Sequence, residues 1–375
     1  MSHLDRRAWL RSIGLVLGAM GVARLGARPS THIGATGNGA RHVKLSLNEN
    51  PYGPPPAAVA AIQREFSNLC RYTGAEYDQL VEAVAAKESV PKEQVILGEI
   101  LEPLGTYLSL KGGIGSEFIY SDPGYTALID AAGAVGGRAV GVPLNAQLEN
   151  DLPAIAAKVS DRTRAVYLVN PHNPTGIVSE PDQLRNFARA TSRQALVIVD
   201  EAYLEFADRF AQRTLSDLVR SGENVIVFRT FAKVYGLAGL EIGYGLAPGP
   251  IAKALSEQGL NNPHLFNRLA VAAAAASLRD AAYVARVTGQ VTEEWEKWFK
   301  LFRDMQLNFT PSRGNFVFFE TGRPHAEFAA TLLKDGIEIG HAFPPYERWA
   351  RVSIGLPDEN AIARSTVQRV LRGLS

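Results

Sequence analysis

The chain has 375 residues, 46% of them hydrophobic, and sets 39 Lys and Arg against 38 Asp and Glu for a formal net charge of +1. That length can bury the cores of a large and a small domain, while a charge so close to zero provides no electrostatic footprint for nucleic acid. The single cysteine, Cys70, cannot form an internal disulfide, the seven histidines are scattered without metal-ligand spacing, and no apolar run reaches the roughly eighteen residues of a membrane span.

Residues 1–42 differ in character from the rest of the chain. Asp5-Arg6-Arg7-Ala8-Trp9-Leu10-Arg11 resembles a twin-arginine export signal, and Ile13–Ala23 continues as an apolar segment diluted by glycine and alanine. The competing reading is a basic amphipathic helix that packs on the protein. Gly34–Arg41, GATGNGAR, reads as a flexible linker.

From Val43 onward, turn signals alternate with apolar runs, and no internal repeat is seen. Leu45–Pro56, LSLNENPYGPPP, cannot continue a helix or a strand through its glycine and prolines, so it reads as an ordered arm or turn. Ala57–Phe66 and Glu76–Lys87 read as helices. Val95–Leu97 is a short strand leading into Gly98-Glu99-Ile100-Leu101-Glu102-Pro103, and Phe118–Tyr120 is a strand ending in SDPGY. Ala165–Val169 is a strand followed by NPHNPTG. Leu196–Val199 is continuous and apolar, as a strand buried on both faces should be, and ends in Asp200-Glu201-Ala202-Tyr203. Val225–Phe228 opens into Arg229–Gly245, RTFAKVYGLAGLEIGYG, whose one lysine is Lys233. Three strand ends thus carry Asn173, Asp200 and Lys233, and ligands of parallel sheets sit beyond such carboxyl ends. Asn267–Leu278 and Tyr283–Asp304 read as helices leading into a smaller α+β region. On residue type alone, Lys233 could equally be a solvated charge, Asp200 a turn or helix cap, and Tyr125 a core plug.

The Lys233 segment, the Asn-Glu-Asn-Pro arm, the NPHNPTG loop and the Asp200 strand end together resemble the fold-type I enzymes that use pyridoxal 5′-phosphate (PLP). The likeness is to the histidinol-phosphate aminotransferase branch of the class I/II aminotransferases, and it runs from about Leu45 to the C-terminus. It implies that Lys233 forms a Schiff base with the cofactor aldehyde and then acts as general base. Asp200 would pair with the protonated pyridine nitrogen and make the ring an electron sink. Asn173 and Tyr203 would hydrogen-bond the phenolic O3′, and Tyr125 would stack on the ring. The resemblance gives the phosphate to Thr230, to Gly98 at a helix start, and to Tyr52 reaching from a neighbouring subunit. It gives the substrate carboxylate to the planar fork of Arg351, with Asn173 beside it.

Several positions depart from the family pattern. Glu241 stands where the family carries an arginine on the phosphate. Ile100 and Leu101 replace a glycine and a serine of the phosphate loop, with Glu99 and Glu102 alongside, and Ala232 replaces a serine. These changes predict a remodelled phosphate pocket with weakened PLP affinity. Gly336–His341 lacks the arginine with which histidinol-phosphate aminotransferases help hold the substrate phosphate, which argues against histidinol phosphate as substrate.

The implied fold is α/β: a large domain with a mostly parallel seven-stranded sheet, plus a small α+β domain. Residues 1–42 would be signal and linker, 43–70 the N-terminal arm of the small domain, 71–270 the large PLP-binding domain and 271–375 the C-terminal small domain. The implied activity is amino transfer from an L-amino acid to a 2-oxo acid with PLP, in a homodimer without a metal, exported to the periplasm or otherwise cytoplasmic. The membrane would be met only through the export signal. Two alternatives stay open. One is another PLP reaction on an amino acid, by a decarboxylase, oxidase or lyase. The other is a derived binding protein with weak or no PLP.

Overall fold

The computed structural model describes Gly34, Ala35 and residues 41–373; the twin-arginine-like segment lies outside the described residues. The described strands are β1 (Gly34–Ala35), β2 (Arg41–Leu45), β3 (Val95–Leu97), β4 (Glu117–Asp122), β5 (Arg138–Pro143), β6 (Thr163–Val169), β7 (Leu196–Asp200), β8 (Val225–Thr230), β9 (Gly243–Leu246), β10 (Phe316–Glu320), β11 (Ile337–Ile339) and β12 (Trp349–Ser353).

Seven strands form one sheet in the order β3-β9-β8-β7-β6-β4-β5. Every pairing from β8 to β5 is parallel, whereas β9 is antiparallel to both of its neighbours. β7 (LVIVD) and β8 (VIVFRT) are buried at every residue, so both faces of the sheet need cover, which helical crossovers between parallel strands provide. Between β8 and β9 the chain makes only the lysine loop and one 3-10 turn, Ala238–Leu240. With no crossover helix there, β9 returns antiparallel. The register sets Val169 beside Asp200 and Asp200 beside Phe228, so the carboxyl ends of β6, β7 and β8 finish level.

Two small sheets complete the α+β part. β2 pairs in parallel with β11, Val43 beside Ile337, and β10 pairs antiparallel with β12, Phe318 beside Arg351. The linker expectation needs correction at its ends: Gly34 and Ala35 pair with His42 and Arg41, because an antiparallel partner satisfies the otherwise open edge of β2. The helix Ala281–Asp304 buries Tyr283, Val287, Val291, Trp295, Trp298, Phe299 and Phe302, an apolar stripe at helical spacing. Phe302 stacks on Phe319 of β10 with ring centres 4.4 Å apart. One apolar cluster runs from Val43 and Leu45 through Val197 and Val227 to Phe316 and Val352, so the large and small sheets share a core within one compact unit. Among the described residues no helix is long and apolar enough to cross a membrane.

Candidate active site

A cavity of about 420 Å³ is lined by Asn173, Asp200, Tyr203, Tyr125, Thr230 and Lys233, together with the carboxylates Glu99, Glu102 and Glu241. It lies beyond the carboxyl ends of the parallel strands, where this architecture brings loops together. The Lys233 ammonium stands 5.6 Å from the centre of the Tyr203 ring. Its loop closes through Phe231 N–H to Ile242 O and Leu237 N–H to Phe231 O, both 3.0 Å. The Asn-Glu-Asn-Pro arm braces that loop from outside: Asn50 Nδ2 donates to Val234 O at 2.8 Å, and the Tyr283 hydroxyl donates to Gly53 O. At Gly236 (φ +66°) a Cβ would stand 2.3 Å from Gly53 O, so glycine there lets the arm lie directly on the lysine loop.

Asp200 is 3% exposed and accepts hydrogen bonds from Ala202 N–H at 2.9 Å and from the Tyr167 hydroxyl at 3.1 Å. Burial raises its carboxyl to about 7, against the opposing pull of those hydrogen bonds and of Lys233. A buried carboxyl in this state gains from any cation placed on it, and a protonated ring nitrogen is such a cation. Behind it, Arg229 donates to Glu201 at 2.8 Å, to Thr214 at 2.7 Å and to Glu88 at 3.2 Å, and the Tyr244 hydroxyl donates to Glu88 at 2.7 Å. This buried network ties the ends of β7 and β8 together. Strand alternation then turns Asp200 and Thr230, the sequence neighbours of Glu201 and Arg229, toward the cavity.

Arg351 is 4% exposed; its Nη1 donates to Asn173 Oδ1 and its Nη2 to Ser46 O, both at 2.7 Å, while its Nε has no partner among the described residues. It reaches the cavity through Asn173. It pairs with no carboxylate among the described residues, it stands over the rings of Phe343 and Phe316 at 5.0 and 5.8 Å, and burial lowers its pKa. A Cβ on Gly340 would come within 3.1 Å of Nε and Nη2, so that glycine makes room for the guanidinium. A buried guanidinium with an unspent donor and no carboxylate paired to it is a strong site for a carboxylate. Tyr203 is fixed beside it by the Asn48 amide, which donates to its hydroxyl at 3.1 Å.

The end of the cavity that the resemblance gives to the phosphate differs from expectation in three ways. Gly98 does not line it: its N–H is spent on Gly243 O at 2.8 Å and its φ is +116°, so it shapes a turn and offers the phosphate no donor. Ile100 is fully buried, and a Cβ on Gly245 would lie 2.1 Å from its Cδ1. The isoleucine fills space left by a glycine of β9 and does not intrude on the cavity. Thr230 is occupied: its hydroxyl donates to Glu99 Oε1 at 2.7 Å and accepts the Ala232 N–H at 3.0 Å. Glu241 is exposed, with a left-handed φ of 47°.

Tyr52 likewise does not line the cavity of its own chain. It packs on the core, where burial and the nearby Glu294 push its hydroxyl up to about 12.

Residue types and positions at the ring end therefore fit PLP: a carboxyl for the ring nitrogen, an amine for the aldehyde, an amide and a phenol for O3′. The phosphate end has three lining carboxylates and no lining arginine, and accepts a phosphate only if charge is removed there. Three contributors escaped the sequence reading: Tyr167 on Asp200, Ser46 on Arg351, and the Glu99–Thr230 bond. Only Tyr167 carried a signal, as the one hydroxyl in the apolar run Ala165–Val169 and two residues from its strand end.

The sequence matches the family described as aminotransferase class I and II over residues 40–363. It is 35% identical to a histidinol-phosphate aminotransferase of Moorella thermoacetica, covering 88% of this chain and 85% of the relative. It is also 35% identical to histidinol-phosphate aminotransferase 2 of Pseudomonas fluorescens, covering 88% and 89%. The solved structure of histidinol-phosphate aminotransferase from Sinorhizobium meliloti in complex with pyridoxal-5′-phosphate superposes with a TM-score of 0.80 at 30% identity, covering 89% of this chain and 92% of that one. The chain belongs to the class I and II aminotransferases.

Proposed function

We propose that the chain transfers the amino group of an L-amino acid to a 2-oxo acid, with PLP as cofactor. One observation carries this reading: Lys233 and the buried Asp200 line one cavity, with Arg351, paired with no carboxylate among the described residues, joined to it through Asn173. When bound, PLP supplies a carbonyl for the substrate amine and a ring that takes up the electron pair left at the α-carbon. Asp200 would hold the ring-nitrogen proton, Asn173 and Tyr203 would orient O3′, and Tyr125 would cover the ring. Lys233 Nζ would bond the aldehyde carbon in the resting enzyme and, once displaced, carry the proton to and from the α-carbon. Arg351 would anchor the substrate carboxylate and so orient the bond to be broken.

The donor is read as an α-amino acid with a free carboxylate, not a phosphate ester. β11, where an arginine would serve a substrate phosphate, carries Glu338, which accepts from the Ser46 hydroxyl at 2.5 Å and lies 3.6 Å from His42. A homodimer is part of the proposal, supported by Phe66, Leu69 and Tyr72, which are 55%, 59% and 78% exposed, an apolar surface that a second copy would cover. So is export by the twin-arginine route, which carries proteins already folded around a cofactor and rests on Arg6 and Arg7.

The test is a product assay with PLP, a panel of L-amino acids and 2-oxo acids. Matched formation of a new 2-oxo acid and a new amino acid supports transfer. Release of CO₂ or peroxide points instead to decarboxylation or oxidation, and no product without PLP uptake points to a binding protein.

A further inference from the structure

The phosphate end of the cavity holds a carboxyl that the proposed function leaves without a role. Glu99 sits just ahead of the helix Leu101–Gly112 and accepts a hydrogen bond from the hydroxyl of Thr230, the group that the resemblance gives to the phosphate. It is also seated against β9, since a Cβ on Gly243 would lie 3.0 Å from Glu99 Oε1. By surface area Glu99 is an exposed residue, because the cavity opens onto it, yet protein atoms crowd it on its other sides. That crowding is the larger influence and raises its pKa; Glu241 raises it further, while Thr230 and Lys233 pull it down. A ligand in the cavity would close the remaining solvent access and add its own negative charge.

Resting on the PLP reading above, we infer that Glu99 is a phosphate ligand in its acid form: one proton, drawn from solvent as the cofactor seats, is shared between the Glu99 carboxyl and the phosphate. The proton removes the like-charge contact and turns an acceptor into a donor, in a cavity with no lining arginine. It also frees the Thr230 hydroxyl to turn to the phosphate. The other charged and titratable groups on this cavity are Glu102 in the first turn of the helix that follows Glu99, Asp200 at the end of β7, Lys233 beyond β8, Glu241 before β9, and the phenols of Tyr125 and Tyr203. Asp200 and Tyr125 are themselves raised by the Glu99 charge, so Glu99→Gln shifts both; that shift is common to ligands with and without a phosphate, and the difference between such ligands reports on Glu99.

The sign comes from linkage. A group that gains a proton on binding makes binding tightest in acid and weaker as pH rises, by up to about tenfold per pH unit. The experiment is PLP titration of wild type and Glu99→Gln from pH 6 to 9 in EDTA, read by cofactor absorbance. Calorimetry in two buffers of different ionisation enthalpy counts protons, and pyridoxal serves as the ligand without a phosphate. Wild type is expected to take up more protons with PLP than the variant, approaching one more, and to weaken more steeply with pH. Glu99→Gln should bind PLP about tenfold or more tighter at pH 8.5, with little difference between the proteins for pyridoxal. Equal proton uptake and equal pH slopes would overturn the inference alone, as would wild type binding pyridoxal as tightly as PLP. Absence of PLP binding in both proteins would overturn the proposed function with it. The excess of wild-type proton uptake with PLP over that with pyridoxal does not depend on the variant, and an excess of zero across the range also overturns the inference.

Discussion

Replacing Asp200 by Asn should stabilise the cofactor-free protein at alkaline pH while disabling the enzyme. The carboxyl is 3% exposed and titrates near 7, where its ordinary value is 3.8. The folded state therefore keeps the proton that the unfolded chain gives up. Stability contributed by this residue is fully present below pH 3.8 and is lost as pH rises to about 7. At 1.36 kcal/mol per pK unit the loss is on the order of 4 kcal/mol, about 3 kcal/mol of it between pH 5 and 8. Asparagine does not ionise, and it can keep both contacts, accepting from Ala202 N–H and donating to the Tyr167 oxygen. Urea unfolding of the stripped proteins at pH 5 and 8 is the assay. Wild type should lose about 3 kcal/mol relative to Asp200→Asn over that interval, and the same variant should lose most of its transfer activity once PLP is restored. Identical pH dependence in the two proteins would refute the reasoning, since it would mean that Asp200 ionises in the usual carboxylate range.

Arg351→Lys should lower kcat/KM for carboxylate-bearing donors by about ten- to a hundredfold through loss of one charge-assisted hydrogen bond, about 1.5–3 kcal/mol. A donor amine without a carboxylate should show no such loss, which steady-state kinetics on paired substrates can check. Glu241→Arg should tighten PLP only modestly, by about tenfold or less, because the side chain is exposed and exposed charges are screened; titration at matched ionic strength measures it. Arg6→Lys combined with Arg7→Lys should hold the protein in the cytoplasm of a host with the twin-arginine machinery, and unchanged fractionation would count against export.

The parts that could be read from sequence are those where chemistry and local pattern coincide. β7 and β8 announce themselves as apolar runs, and a carboxylate ending such a run, as Asp200 does, is conspicuous against the four apolar residues before it. Lys233 and Asn173 emerge from the same logic with the resemblance added. What could not be read depends on pairing across long sequence separations. The cost of Ile100 in a loop that usually carries glycine is cancelled by Gly245 on the adjacent strand, and only the register of β3 against β9 shows it. The Glu99–Thr230 bond spans 131 positions. It turns attention from Glu241 to Glu99, which lines the same cavity but is held by Thr230 and seated against β9. The resemblance makes Gly98 a phosphate donor, yet its N–H is committed to Gly243 O, a commitment that only the folded backbone reveals.

The central claim is that Lys233 and Asp200 form a PLP site, and borohydride trapping tests it most directly. The protein is incubated with PLP, its visible spectrum recorded, and the complex reduced, digested and mapped by mass spectrometry. A visible band that disappears on reduction, with the pyridoxyl group on Lys233 and no band in Lys233→Ala, is the predicted result. No band in wild type, or a label distributed over other lysines and undiminished in Lys233→Ala, would contradict it.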